Sequence, residues 1–315
     1  MSALNELAWK ELQKILEKPE SLGVSVNTVE CGSLVLDCGV RASGGAEAGL
    51  MMARVGMAGL GSSRVVMDLL DGIPWLYVEV QTDRPLEATL LCQAANWPVD
   101  APGLRGMGSG PACLLNKALD VGKMVPGGEV SAHAVLILEA GSLPDASICS
   151  QLAATCGVSP DHLAVMVAPT SSLAGSVQIA ARSVETALHK LHQINFDVSH
   201  VVSGFGRCPV AMPTGDDLTA MGKTNDAVLF GGQVWLAVRG VEDGELAGVV
   251  AHIPSSTSPN YGESFLKTLK NAGGFYNIDP GLFAPAEMTV TNLSTGKVFH
   301  SGAVDAARLI KALKD

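Results

Sequence analysis

Aromatic residues are scarce in this chain. Only 4% of its 315 residues are Phe, Trp or Tyr although 47% are hydrophobic, so a core must be built from Ala, Val, Leu, Ile and Met, a composition suited to close α/β packing. A basic surplus is also missing. The formal net charge is −10, which argues against broad charge-driven binding to nucleic acid or anionic membrane and requires a local basic pocket for any acidic ligand. The longest apolar runs, such as AVLIL at 134–138, are far too short to span a bilayer. The seven cysteines, at 31, 38, 92, 113, 149, 156 and 208, form no C-x-x-C pair, and their odd number leaves at least one thiol unpaired. That usage fits a reduced, cytoplasmic protein. The opening MSALNELAWKELQKILEK reads as an amphipathic helix with interspersed acids and lysines, not as a signal peptide. No fixed-period repeat and no Pro/Ser linker stands out. The length suits one large or two medium domains.

What is present centres on residues 163–193. The apolar run LAVMVA breaks at Pro169 and leads through PTSSLAG into SVQIAARSVETALHKLHQ. Val177, Ala180, Val184, Ala187, Leu188, Leu191 and Ile194 recur mostly at steps of three and four, which predicts one buried face of a single long helix. Gln178, Arg182, Glu185, His189 and His192 form a polar stripe opposite that face. Such a stripe is ordinarily the solvated side of a surface helix. Two features favour a site instead: the small and hydroxyl residues Thr170, Ser171, Ser172 and Gly175 at the helix entry, and the shared face of Arg182 and Glu185, an ion pair with a candidate base. Glu185, His189 and His192 could in principle offer a carboxylate and two imidazoles to a metal. Lys190 is close by, no HExxH pattern is present and no fourth ligand is suggested, so surface histidines are the simpler reading.

Around this centre, VSVNTV (24–29) and SLVLDCGV (33–40) read as strands joined by a turn, and VVMDLL and PWLYVEV as further strands. A helix is expected over 85–97, where Pro85 suits the first turn. In PGLRGMGSGPACLLNKAL (102–119) the glycines precede a helix-like run, and their amides could form an anion nest; G-x-G-x-x-G is not met. AHAVLILEA, PDASICSQLAATC and HVVSGFGRCPVA read as strand, helix and strand. GKT at 222–224 imitates a P-loop end but lacks the upstream glycine, and Asn225 and Asp226 are expected between a short helix and a strand. The Pro-, Gly- and Ser-rich stretches at 253–269 and 273–290 carry Tyr261, Phe275, Tyr276 and Phe283, whose rings could pave a pocket or pack under a loop. VDAARLIKALKD closes the chain as a helix. Alternating strands and helices predict a mixed α/β (α+β) fold.

The segments MGSGPA (107–112), APTSSLAGSVQIAARSVETALHKLH (168–192), GKTNDAVLFGG (222–232), IPSSTSPNYG (253–262) and FYNIDPGLFAPA (275–286), together with the early VECGSLVLDCGV…EAGL region, resemble the methenyltetrahydromethanopterin cyclohydrolase family. The likeness spans nearly the whole chain. Departures occur at Cys113, where many relatives carry arginine, at CQAANW (92–97) with its Asn96, where SQYAGW is usual, and at Phe230, which replaces a common tyrosine.

The resemblance implies reversible hydrolysis of N5,N10-methenyl-tetrahydromethanopterin to the N5-formyl compound in one-carbon metabolism, whether formaldehyde oxidation or methanogenesis, without metal or other cofactor. It implies a two-lobed subunit with a pterin pocket between the lobes, assembled as a homotrimer. Lobes of 1–120 plus 241–315 and of 121–240 are expected. Carried over by residue, Glu185 binds and deprotonates the water, and Arg182 fixes that carboxylate. Ser109, Gly110, Pro111, Thr170, Ser171, Ser172, Gln178, Asn225, Asp226, Ser255, Ser256, Tyr261, Phe275 and Tyr276 line the substrate. Arg105 or Lys190 would supply a cation for an acidic tail. The alternatives are a metal-dependent hydrolase using Glu185, His189 and His192, and a non-catalytic pterin-binding trimer.

Overall fold

A computed structural model describes residues 3–94, 97–125, 127–274 and 277–314. In chain order the elements are α1 (Leu4–Leu16), β1 (Ser25–Thr28), β2 (Leu34–Asp37), α2 (Ala46–Gly56), β3 (Gly61–Leu70), β4 (Ile73–Thr82), β5 (Trp97–Ala101), β6 (Leu104–Ser109), α3 (Asp120–Lys123) and β7 (Ala134–Ala140). There follow α4 (Ala146–Cys156), β8 (Leu163–Ala168), α5 (Leu173–Ala180), α6 (Ser183–Gln193), β9 (Val201–Pro209), α7 (Asp217–Gly231), β10 (Gln233–Val238), α8 (Asp243–Val250), α9 (Phe265–Ala272), β11 (Glu287–Asn292), β12 (Val298–Gly302) and α10 (Ala306–Lys314). The fold is mixed α/β. Two compact units form, Met1–Gly61 with Glu87–Gln178, and Ser62–Leu86 with Ile179–Asp315. This division differs from the expected one at 120 and 240 because each unit is gathered by its own sheet.

The sheet of the first unit runs β1-β2-β8-β7-β6-β5. β2, β8 and β7 are parallel neighbours and the outer pairs are antiparallel. β7–α4–β8 is a βαβ unit, in which the helix returns the chain to start a parallel neighbour. AVLIL and LAVMVA hold no polar residue, and β8 is buried at every position, as expected of strands covered on both faces. The helix α1 packs against β7 and α2 and buries Leu4, Ala8, Leu12 and Ile15, spaced at four, four and three. Buried Asn5 fixes it: Nδ2 donates to Pro111 O at 2.8 Å and Oδ1 accepts Val135 N–H at 3.0 Å.

The sheet of the second unit runs β12-β11-β10-β9-β4-β3. β10 and β11 are parallel and are bridged in sequence by α8 and α9; β9 is antiparallel to both its neighbours. Burial alternates along β11 and most of β9 and β10, so this sheet has one covered face. On the covered face α6 lies close to β9, because Gly204 leaves room for Val184: a Cβ there would stand 2.8 Å from Val184 Cγ1. The other face presents the register pair Phe205–Trp235, 40% and 36% exposed.

Three expectations are corrected. The single helix over 177–194 is two helices, α5 and α6, interrupted at Ala181–Arg182, where Arg182 N–H turns back to Ile179 O at 2.9 Å. The break falls next to the Gln178/Ile179 boundary between units, so the two halves bury their apolar faces in different cores. The glycine-rich 102–119 segment is not a nest before a helix: Leu104–Ser109 is the strand β6, whose backbone is engaged by β5 and β7. The helix expected over 85–97 is limited to a π-type turn at Leu86–Leu91, and Trp97 opens β5.

Candidate active site

Glu185 stands in the first turn of α6, a position favourable to a carboxylate at the positive end of the helix dipole. Residue 182 is the N-cap of that helix, and Arg182 Nη2 lies 3.5 Å from Glu185 Oε2. The side chains of Arg182 and Glu185 are 12% and 7% exposed. A carboxylate withdrawn from bulk water needs a countercharge, and the guanidinium three residues earlier provides one. The polar stripe is therefore not one solvated face. Its members Gln178 and Glu185 are buried, while His192 is exposed and His189 is half-buried beside Gln193, their nitrogens 3.4 Å apart. Among the described residues, no three His, Cys, Asp or Glu side chains gather as a metal would require, and the proposed triplet is split between buried Glu185 and exposed His192.

In the first unit, polar groups collect at the carboxyl ends of the parallel strands, where α/β sheets commonly bind ligands. Glu139, the last but one residue of β7, pairs with Ala168 of β8, and buried Gln178 donates from Nε2 to Glu139 Oε1 at 3.0 Å. Thr170 is buried in the turn that follows β8. Ser172 is engaged locally, donating to Pro169 O at 2.8 Å and accepting Gly175 N–H at 3.1 Å. At the end of β2, Asp37 accepts N–H bonds from Gly39, Val40, Arg41 and Ala42 at 2.7–3.0 Å. Burial pushes its pKa up, but the four donors outweigh burial and leave it lowered.

Residues 3–313 match the family described as Cyclohydrolase (MCH). The chain belongs to that family. It is 38% identical over 309 residues to the methenyltetrahydromethanopterin cyclohydrolase of Methanosarcina barkeri, covering 96% of each chain. The enzymes of that name from Methanocella arvoryzae and Methanothermobacter marburgensis are 39% identical over 309 residues, covering 97% and 96%, and 38% identical over 317 residues, covering 99% of each.

The remaining expected MCH site residues are spread through both units. Ser109, Gly110 and Pro111 are buried; Ser109 pairs with Ile137 in the middle of β7 and Pro111 touches α1, so they lie toward the amino end of β7 and apart from Glu139. Asn225 and Asp226 are not in a turn but within α7. Asn225 Nδ2 donates to Met221 O at 2.9 Å. Asp226 accepts Phe265 N–H at 2.8 Å, at the start of α9, and burial pushes its pKa up to about 7. Ser255 is buried with its hydroxyl on Leu229 O, whereas Ser256 is exposed. Tyr261 packs edge-on against Phe230 and donates to Asp305 at 3.3 Å; burial and that carboxylate raise its pKa to about 12. Phe275 and Tyr276, like Asn96, lie outside the described residues. Phe283 packs under its loop against Phe265, rings 5.7 Å apart. The exposed Arg105 pairs with Asp100 at 3.3 Å.

Sequence reasoning missed Asp37 and Glu139. Asp37 carried a local signal, an Asp closing a strand before Cys-Gly. Glu139 carried none beyond being the only charge in its strand.

Proposed function

We propose that this chain hydrolyses N5,N10-methenyl-tetrahydromethanopterin to N5-formyl-tetrahydromethanopterin, reversibly, with Glu185 as the proton-transferring group. The observation that carries this reading is the buried Arg182–Glu185 pair at the start of α6, within a chain that matches the cyclohydrolase family over residues 3–313.

Water attacks the electron-poor amidinium carbon and a C–O bond forms. Glu185 takes a proton from that water and passes it to N10 as the C–N10 bond breaks. The remaining hydroxyl proton leaves to solvent as the formyl C=O forms on N5, so one proton is released per turnover. Arg182 holds the carboxylate in one orientation by their ion pair, which a general base needs in order to act repeatedly on one atom. Because one carboxylate serves as base and then acid, the same arrangement runs in reverse. In the first unit, Thr170, Ser171 and Gln178 are proposed substrate contacts, supported by their place at the carboxyl ends of β7 and β8. The relatives' names supply the pterin. A cytoplasmic homotrimer that needs no metal or prosthetic group completes the proposal.

The test follows the absorbance of methenyl-tetrahydromethanopterin with wild type and Glu185→Gln in metal-free buffer. Wild type is expected to consume it, and the variant to bind it but turn over about 100-fold or more slowly, the usual cost of losing a general base. Equal turnover by both proteins would move the base elsewhere.

A further inference from the structure

Lys190 lies on α6, five residues past Glu185, and its side chain runs inward: the residue is only 5% exposed. Burying an ammonium is costly unless every donor is well used. Its Nζ donates to Gly281 O at 2.8 Å. Burial lowers its pKa, and the neighbouring Asp279 carboxylate opposes that shift. Asp279 is itself tied on both oxygens, Oδ2 by Ser258 Oγ at 2.6 Å and Oδ1 by Gly281 N–H at 3.0 Å. Its backbone N–H donates to Asn260 Oδ1 at 3.0 Å. A Cβ at residue 281 would stand 2.9 Å from Nζ and 3.2 Å from both Asp279 carboxylate oxygens, so a side chain there would push the amine aside. One amine thus closes a network joining α6 to two loops, 255–261 and 277–283, that are far apart in sequence.

We propose that Lys190 is a positioning residue, which sets these two loops against the helix that bears Glu185. This rests on the reading of α6 as the catalytic helix. The amine donates to Gly281 O, and the Asp279 carboxylate acts on it through its charge. Its effect passes through the Gly281 carbonyl and through Asp279 to Ser258 and Asn260. The neutral side chain of Met would fill similar space and pack well, so what the cation adds is its link to the loops rather than packing.

The experiment combines hydrogen exchange on the free protein with steady-state kinetics on wild type, Lys190→Met, Gly281→Ala and the double variant. Lys190→Met is expected to accelerate exchange in 255–261 and 277–283, leave the first turn of α6 protected, and raise KM about tenfold with kcat nearly unchanged, the scale of one lost charged hydrogen bond. Gly281→Ala is expected to reproduce both effects, and the double variant to be no worse than either single one, as for residues acting as a unit. Should Lys190→Met fail to fold, Gly281→Ala carries the same comparison. Unchanged exchange in both loops would overturn the proposal, as would faster exchange with unaltered KM, which is the mark of a merely structural tie. A fall in kcat at constant KM would overturn it too. The exchange pattern is read without substrate, so faster loop exchange in a wild-type background inactive on the methenyl pterin would support the strut while defeating the catalytic reading.

Discussion

The two sheets have six strands each, yet they bury themselves differently. In the first unit, Val135, Leu136 and Leu138 on β7 and every residue from Leu163 to Ala168 on β8 have no exposed surface, because neighbours cover both faces of the parallel strands. In the second, Phe205 and Trp235 stand 40% and 36% exposed while Leu236 beside them is fully buried. A sheet covered twice reads as an unbroken apolar run, and a sheet covered once reads as alternation. The first kind of strand has no tolerant face. The second keeps one on which Phe205 and Trp235 meet water, and half-buried Arg207 lies over the buried Tyr77 ring at 4.2 Å.

The widest separation between the units should come from truncating one residue on each sheet. Leu138→Ala, at a fully buried site, is expected to cost about 2–5 kcal/mol, since it loses transfer energy and leaves a cavity. Phe205→Ala, on the open face, is expected to stay within about 0.5 kcal/mol. Urea denaturation midpoints check both, and equal losses would mean that the outer face of the second sheet is covered in solution.

The units should also answer pH in opposite senses. Asp226 in the second unit has its pKa pushed up to about 7 by burial, against an ordinary 3.8. Between these values the folded chain holds a proton that the unfolded chain has lost, so this group makes stability fall as pH rises from about 4 to 7. Asp226→Asn, whose amide oxygen can still accept Phe265 N–H, is expected to raise the melting temperature at pH 8 and to leave it unchanged near pH 4. A gain that is the same at both values would reject burial as the cause.

Glu6 in the first unit behaves inversely and more weakly, being partly exposed. The hydrogen bond from Ser131 lowers its pKa to about 2, with His133 adding to the shift and burial opposing it. Its contribution is therefore complete above the ordinary 4.5 and fades as pH falls toward about 2. Glu6→Gln should melt slightly below wild type at neutral pH, with the two curves converging in acid. Calorimetry showing a gap that persists to pH 2 would argue for packing rather than charge.

Much of the fold was legible from the residues. LAVMVA, AVLILEA and LVLD are strands because β-branched and apolar residues fill them and polar turns bound them, and PDASICSQLAATC is a helix because Asp145 caps it and Gly157 ends it in the left-handed region. The 102–119 stretch misled because glycine before a helical pattern looks like an anion nest, while here Gly106 and Gly108 sit in β6 between β5 and β7. The single-helix reading of 177–194 failed for another reason. Its period is continuous across Ala181 and Arg182, and nothing local marks the point where the chain passes from one core to the other.

The site divides in the same way. The spacing of Arg182 and Glu185 along the chain made their pairing foreseeable, because residues three apart on a helix share a face whatever surrounds it. The sequence by itself therefore determined most of the strands and helices, that the core is aliphatic, and that this ion pair is available. Only the tertiary structure decided that Glu185 is buried rather than solvated, that Lys190 turns inward to Gly281 and that Glu139 meets Gln178. Those outcomes depend on partners 39 to 91 residues away, and burial is a property of what packs against a residue, which no local period records.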